Sequence, residues 1–425
     1  MGDVAAPDLV TSLLFVCGFL IAVSAIHRYT RNFVIPGVTI MMFLGAISAV
    51  FPSYHSQLDN IYDFMANKAP DLILLVIIPL LIFESGRKLR LDEIRKEIIP
   101  IGFFAIIGVI LTIFLLGIGV SIVFRVPLID GLLFGSIAAA TDAVAVAAVF
   151  MRFPIPHRLN LIIEGESILN DATGLVSFGV IKGIIFSSVA FSLIDTSLSF
   201  LWAILGALAL GSAIGFVGGK VLNKWQGDEY VNFTFSVALA IGGYVIGDHF
   251  LHVSGVVTTL FTALLLIKTH KDIFTEARQA FHKYWDYTGL MTNSVLFFLI
   301  GIPLVFDYES LRIPLVVIIL APFAIVMISR AIVVYGGSII LRIARVRIPL
   351  QWQNILTLGG LRGGIAVALV LSLPAEYEFK NLFIGLIISV VAVNLVVNPI
   401  LLDRYLKKSK ITSENVDTLG NLKEP

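Results

Sequence analysis

Apolar blocks of roughly twenty residues recur along almost the whole chain, each long enough to cross the ~30 Å hydrocarbon core of a bilayer as a helix. The runs are continuous, whereas barrel strands would alternate apolar and polar with period two, so the blocks read as helices. Of 425 residues, 58% are hydrophobic and only 14% charged. A soluble domain averages about 25% charged residues, so the composition argues against a soluble fold. The net charge of +1 gives no electrostatic reason to expect a nucleic-acid partner. The single cysteine, Cys17, excludes an intramolecular disulfide and any multi-cysteine metal site. The N-terminal MGDVAAPDLV lacks the basic region of a cleaved signal, so the first apolar run is expected to be retained.

The blocks divide into thirteen spans, approximately 9–27, 34–51, 71–86, 99–124, 128–150, 159–185, 197–222, 230–249, 253–268, 287–306, 313–341, 352–374 and 381–402. Charge alternates between the connections. Of 30 Lys and Arg residues, 23 fall in the odd-numbered connections and the C-terminal tail, and only Lys68, Arg125, Arg312 and Lys380 in the even-numbered ones. The positive-inside rule then puts the N-terminus outside and the C-terminus in the cytoplasm, as an odd span count requires. RKLRLDEIRKEI (87–98) reads as an amphipathic cytoplasmic connector, and KTHKDIFTEARQAFHKYWDY (268–287) as a second one lying along the inner interface. The whole of 1–410 is expected to be one transmembrane domain, followed by a short polar, disordered cytoplasmic tail, 411–425.

Spans 5 and 12 share a pattern. Thr141-Asp142-Ala143-Val144-Ala145-Val146 and Arg362-Gly363-Gly364-Ile365-Ala366-Val367 each put a polar, small-residue break at mid-membrane before a similar apolar run. Span 5 starts outside and span 12 inside, which predicts inverted six-helix repeats, spans 1–6 and 8–13, with span 7 as linker. Interrupted helices in corresponding positions are the sequence pointer to a transporter binding site. Gly359, Gly360, Gly363 and Gly364 weaken the helix around Arg362. Span 5 lacks such glycines, so its break is expected by analogy. Where half-helices meet, Asp142 would neutralise their N-termini and Arg362 their C-termini. Asp142 has a second reading, as a working carboxylate.

A carboxylate at mid-membrane costs several kcal/mol unless it is paired, protonated or bound to a cation. Span 6 carries Asp171 in the run Glu166-Ser167-Ile168-Leu169-Asn170-Asp171. Ser167 and Asp171 share a helix face at i,i+4, and Glu166 and Asn170 line the adjacent strip. Oxygen ligands suit hard cations. Asp171, Ser167, Thr141 and exposed carbonyls of an unwound turn would hold Na⁺, Li⁺ or K⁺. Asp171 is the expected carrier, occupied by a proton or a metal cation but hardly by both. Glu166 is expected to pair with Arg330, the other deep charge, and Asn170 to hydrogen-bond the broken helix. Glu84, at the cytoplasmic end of span 3, lies either at the site mouth or simply at the interface. The cytoplasmic histidines His27, His157, His270 and His282 are read as interface residues, with pH sensing as the other reading.

Thr141-Asp142, Glu166-Ser167 with Asn170-Asp171, Ser329-Arg330, Gly359-Gly360-Leu361-Arg362-Gly363 and the run Pro79 to Glu84 resemble the monovalent cation–proton antiporters, in particular the sodium/proton exchanger, NhaP-like branch. The resemblance implies an all-α polytopic fold of thirteen helices with crossed broken helices in spans 5 and 12, a homodimer in the cell membrane and an elevator-like movement. It also implies ion carriage by Asp171 with Thr141, Ser167 and Glu84 contributing, and no cofactor beyond the transported ions. Electrogenic relatives carry an Asp-Asp pair where this chain has Asn170-Asp171, so electroneutral 1:1 exchange is expected, with electrogenic or K⁺-selective antiport as the alternative.

Two other classes fit less well. A cation channel would carry a repeated selectivity filter or a ring-forming acidic loop, and neither is visible. An intramembrane aspartyl protease also uses two buried aspartates, but the Gly-x-Gly-Asp context is missing. The expected activity is therefore transport rather than enzymatic chemistry.

Overall fold

The computed structural model describes residues 5–30, 33–50, 68–89, 91–150, 152–186, 193–225, 229–269, 276–305 and 313–409. The tail 411–425 and residues 270–275 of the second connector lie outside them. Regular structure among the described residues is helical throughout.

In chain order the helices are α1 (Ala5–Thr30), α2 (Gly37–Val50), α3 (Ala69–Gly86), a short α4 (Leu91–Lys96), α5 (Ile98–Phe124), α6 (Leu128–Ala139) and α7 (Ala143–Phe150). Then follow α8 (His157–Phe186), α9 (Leu193–Trp225), α10 (Glu229–Phe250), α11 (Gly255–Thr269) and α12 (Glu276–Gly301). The series ends with α13 (Leu315–Ile343), α14 (Leu350–Leu358), α15 (Gly364–Leu371) and α16 (Lys380–Ser409). Among the described residues, seven of these are long and apolar enough to cross a membrane: α3, α5, α8, α9, α10, α13 and α16. Each predicted span window contains helix, and windows 5 and 12 contain two helices separated by a gap.

Packing falls into two groups. α5 packs on α6, α6 on α8, α13 on α5 and α16, and α15 on α16 and α6. In the second group α9 packs on α11, α12 on α2, and α3 on α11 and α12. The broken helices α6/α7 and α14/α15 belong to the first group. The helix α8, which carries Asp171, crosses α6 within it.

One expectation is corrected. Residues 276–287 do not form a separate interfacial segment: they are the first turns of α12. Aromatic packing explains the continuity. Phe281 and Trp285 are buried, Trp285 stacks on Phe83 of α3 at a ring separation of 4.5 Å, and its indole N–H donates to Ser236 Oγ of α10 at 2.9 Å. An indole gives a large apolar contact and needs a partner for its N–H, and both are met only by docking these turns on α3 and α10. The first connector does form a short helix, α4. It is tied to the start of α8 by His157–Glu93 at 2.8 Å and Arg158–Glu97 at 2.7 Å.

Candidate functional site: the meeting point of two broken helices

α6 ends at Ala139, the chain is extended through Ala140 (φ −59°, ψ 139°), and α7 begins at Ala143. Nothing in the local sequence forces this break, since no glycine or proline lies within it. Tertiary contacts hold it. The Ser167 hydroxyl donates to the Thr141 carbonyl at 2.6 Å. Asn170 Nδ2 donates to Thr141 Oγ1 at 2.5 Å, and the Thr141 N–H donates to Asn170 Oδ1 at 3.4 Å. The unwound turn is thus clamped to α8 by two side chains one turn apart, which satisfies backbone groups that helix would otherwise pair.

The second break runs from Gly359 to Gly363, where the chain becomes extended (Gly363 φ −120°, ψ −160°). The two breaks touch. The Asp142 N–H donates to the Leu361 carbonyl at 2.8 Å. Arg362, 1% exposed, reaches back to α6, where Nη1 donates to the Ala139 and Ala140 carbonyls at 2.8 and 3.2 Å. A cation on the last carbonyls of a helix offsets the negative end of its dipole. Two of the glycines are required by close approach. A Cβ on Gly363 would lie 2.5 Å from Asp142 Cβ, and one on Gly360 would lie 2.7 Å from Arg330 Nε.

Glu166 and Arg330 form a buried two-point ion pair. Nη2 meets Oε2 at 2.9 Å, Nη1 binds Oε1, and the side chains are 3% and 7% exposed. Arg330 Nε also donates to the Leu356 carbonyl at 3.1 Å, so one guanidinium links α13, α8 and the end of α14. The structure thus places Glu166 and Arg330 in contact, away from the cavity lining.

A cavity of about 720 Å³ opens beside the breaks, and Thr141, Asp142, Ser167 and Asp171 line it. Asp171 Oδ1 is buried and has no hydrogen-bond partner in the protein. The charges of Asp142 and Arg362 both act on it. In a non-aqueous surrounding an unpaired carboxylate oxygen is costly, so it calls for a proton or a cation. Ser167, one turn away on the same face, and Thr141, across the gap, bring two hydroxyl oxygens to the same wall. The donor set contains no sulfur or imidazole, and no group of three His, Cys, Asp or Glu with metal-binding geometry occurs among the described residues. Such an oxygen set suits a hard monovalent cation rather than a transition metal.

Glu84 lines the same cavity, on α3. It is not free: Lys88 Nζ and Arg87 Nη2 hold its Oε1, the latter at 3.5 Å. Arg87 in turn binds Asp286 and His282 of α12. Sequence reasoning missed this cluster. The half of it on α3 was readable, since Arg87 and Lys88 follow Glu84 at i+3 and i+4; the half on α12 comes from about 195 residues away. Two ion pairs elsewhere were also missed, Arg152–Asp403 at 2.9 Å and Lys407–Asp403 at 2.8 Å.

Comparison with known proteins agrees with this architecture. The sodium/hydrogen exchanger, transmembrane, family matches residues 15–408. The Na⁺/H⁺ antiporter ApNhaP of Aphanothece halophytica is 28% identical over 411 residues, covering 96% of this chain and 76% of the relative. The Na⁺/H⁺ antiporter NhaP of Pseudomonas aeruginosa is 30% identical over 340 residues, covering 76% and 78%. The structure of the sodium proton antiporter MjNhaP1 from Methanocaldococcus jannaschii aligns over 94% of this chain and 99% of its own, with a TM-score of 0.77 at 19% identity, which shows a shared fold. The family match runs through nearly all of the helical region and both breaks, and the chain is an integral membrane protein belonging to the sodium/hydrogen exchanger family.

Proposed function

We propose that this exchanger moves Na⁺ or Li⁺ against H⁺ one for one across the cell membrane by alternating access, with Asp171 as the group that holds either ion. The observation that carries the reading is the buried, unpartnered Oδ1 of Asp171 on a cavity wall shared with the hydroxyls of Ser167 and Thr141. A charged carboxylate crosses an apolar barrier only at high cost, whereas a neutralised one crosses cheaply. Proton and cation therefore take turns, and the empty, charged carrier stays behind. That rule alone couples the two fluxes.

Asp142 and Arg362 act as supports in this scheme, Arg362 holding the α6 carbonyls and Asp142 the contact between breaks. Asn170 orients Thr141, and the Glu166–Arg330 pair fixes α8 against α13. With Asn rather than Asp at 170, one carboxylate does the carrying, which supports the 1:1 ratio. The cavity is lined by His27, Lys88 and Asp286 as well as Asp171. The alternating charge of the connections puts His27, Lys88 and Asp286 on the cytoplasmic side, which supports reading the cavity as inward-facing. The same alternation supports an N-terminus outside and a C-terminus in the cytoplasm. We extend the reading to one transmembrane domain, 1–410, of inverted six-span repeats about a linking span 7, assembled as a homodimer.

Acid-loaded proteoliposomes test the stoichiometry. Na⁺ added outside is expected to alkalinise the lumen at the same rate whether or not K⁺ and valinomycin clamp the potential at zero. A rate that rises under the clamp would refute 1:1 exchange.

A further inference from the structure

The cytoplasmic mouth of the cavity carries two cations that the exchange scheme leaves unused, and they are held very differently. Arg87 is 2% exposed in its side chain and is bound by Asp286 Oδ1, His282 Nδ1 (2.6 Å), the His282 carbonyl (3.4 Å) and Glu84 Oε1 (3.5 Å). It is locked between α3 and α12. Lys88 is 51% exposed; its ammonium sits on Glu84 Oε1 and is 3.9 Å from Asp286 Oδ1. Glu84 itself is only 10% exposed in its side chain and lines the cavity shared with Asp171.

We propose that Lys88 is a tethered competitor for the transported cation at Glu84: its ammonium neutralises this carboxylate in the inward-facing cavity and must swing out before Glu84 takes a Na⁺ ion. The inference rests on the exchange reading above. An ammonium on a flexible four-carbon stem is a compact monovalent point charge, the same electrostatic object as the ion. The two therefore exclude each other at Oε1. Arg87 cannot play this part, because its buried guanidinium is held at once by Asp286, His282 and Glu84. With Lys88 in place, Glu84, Asp286, Arg87 and Lys88 sum to zero charge. Without it the other three carry one net negative charge, which draws cations toward them. Lys88 thus sets cytoplasmic cation affinity and leaves the carrier step to Asp171.

The test is a Na⁺ titration of exchange in proteoliposomes, paired with Na⁺-dependent thermal stabilisation of the full chain in detergent. Lys88→Gln is expected to lower the apparent KM for Na⁺ about two- to fivefold, the factor equivalent to a partly exposed ion pair. Lys88→Arg keeps the charge and should match wild type, and Glu84→Gln/Lys88→Gln should lose the gain. Because the Lys88 side chain is half exposed, Lys88→Ala serves as a second neutral variant and should repeat the Lys88→Gln result. An unchanged KM in the neutral variants overturns the inference, as does a lowered KM that persists in the double variant. Asp171→Asn run alongside separates the two readings. If it exchanges normally the carrier assignment fails; if it is inactive while Lys88→Gln matches wild type, only the Lys88 inference fails.

Discussion

Replacing Arg330 by Met removes three hydrogen bonds at once and strands a charge. Glu166 loses both of its Arg330 contacts, and the Leu356 carbonyl loses the donor at 3.1 Å. The Glu166 side chain is 3% exposed, so water cannot replace what is lost. Breaking a buried ion pair from one side costs about 3–5 kcal/mol, and the orphaned carbonyl adds about 1 kcal/mol. Arg330→Met is thus expected to lose about 4–6 kcal/mol in an SDS unfolding titration of the purified protein. Removing both charges should be much milder, because a buried pair replaced by apolar side chains of similar volume is often neutral. Glu166→Leu/Arg330→Met should therefore recover most of the loss and still exchange ions. A single variant as stable as wild type would show that the buried pair does not hold α8 against α13. A double variant worse than the single one would show that the pair contributes through something other than mutual compensation.

Two further outcomes follow from the clamp and the shared carboxylate. Ser167→Ala removes the 2.6 Å bond to the Thr141 carbonyl and a candidate ligand oxygen; a net hydrogen bond of about 0.5–1.5 kcal/mol translates into an apparent KM for Na⁺ raised roughly two- to tenfold in transport titrations. Competition of one proton with one cation predicts that the KM for Na⁺ climbs by up to about tenfold per unit fall in pH while the maximal rate holds, which Na⁺ titrations at several pH values measure directly.

Much of this arrangement is legible from one sequence because a bilayer leaves few choices. Twenty-residue apolar blocks place the helices. The i,i+4 spacing puts Ser167 and Asp171 on one face before any fold is known. The four glycines around Arg362 announce the second break. The first break is different: Ala140 to Asp142 contains only residues that helices accept, and the turn stays open because Ser167 and Asn170 hold it from α8 and Arg362 holds it from the second break. The carbonyls of Ala139 and Ala140 that receive Arg362 lie about 220 residues away in sequence, and no local pattern points to them. The same limit hid the partners of Arg87 on α12. It also made 268–287 look like an interfacial connector, since its amphipathic pattern does not show that Phe281 and Trp285 dock on neighbouring helices.

Carriage of both ions by Asp171 is the proposal on which coupled exchange rests. Its most direct test is Na⁺-driven alkalinisation of acid-loaded proteoliposomes containing Asp171→Asn, with reconstitution and thermal stability matched to wild type. Asparagine keeps the shape and removes the titratable charge, so no Na⁺-dependent proton movement above that of protein-free vesicles is expected. Exchange at the wild-type rate by this variant would contradict the proposal.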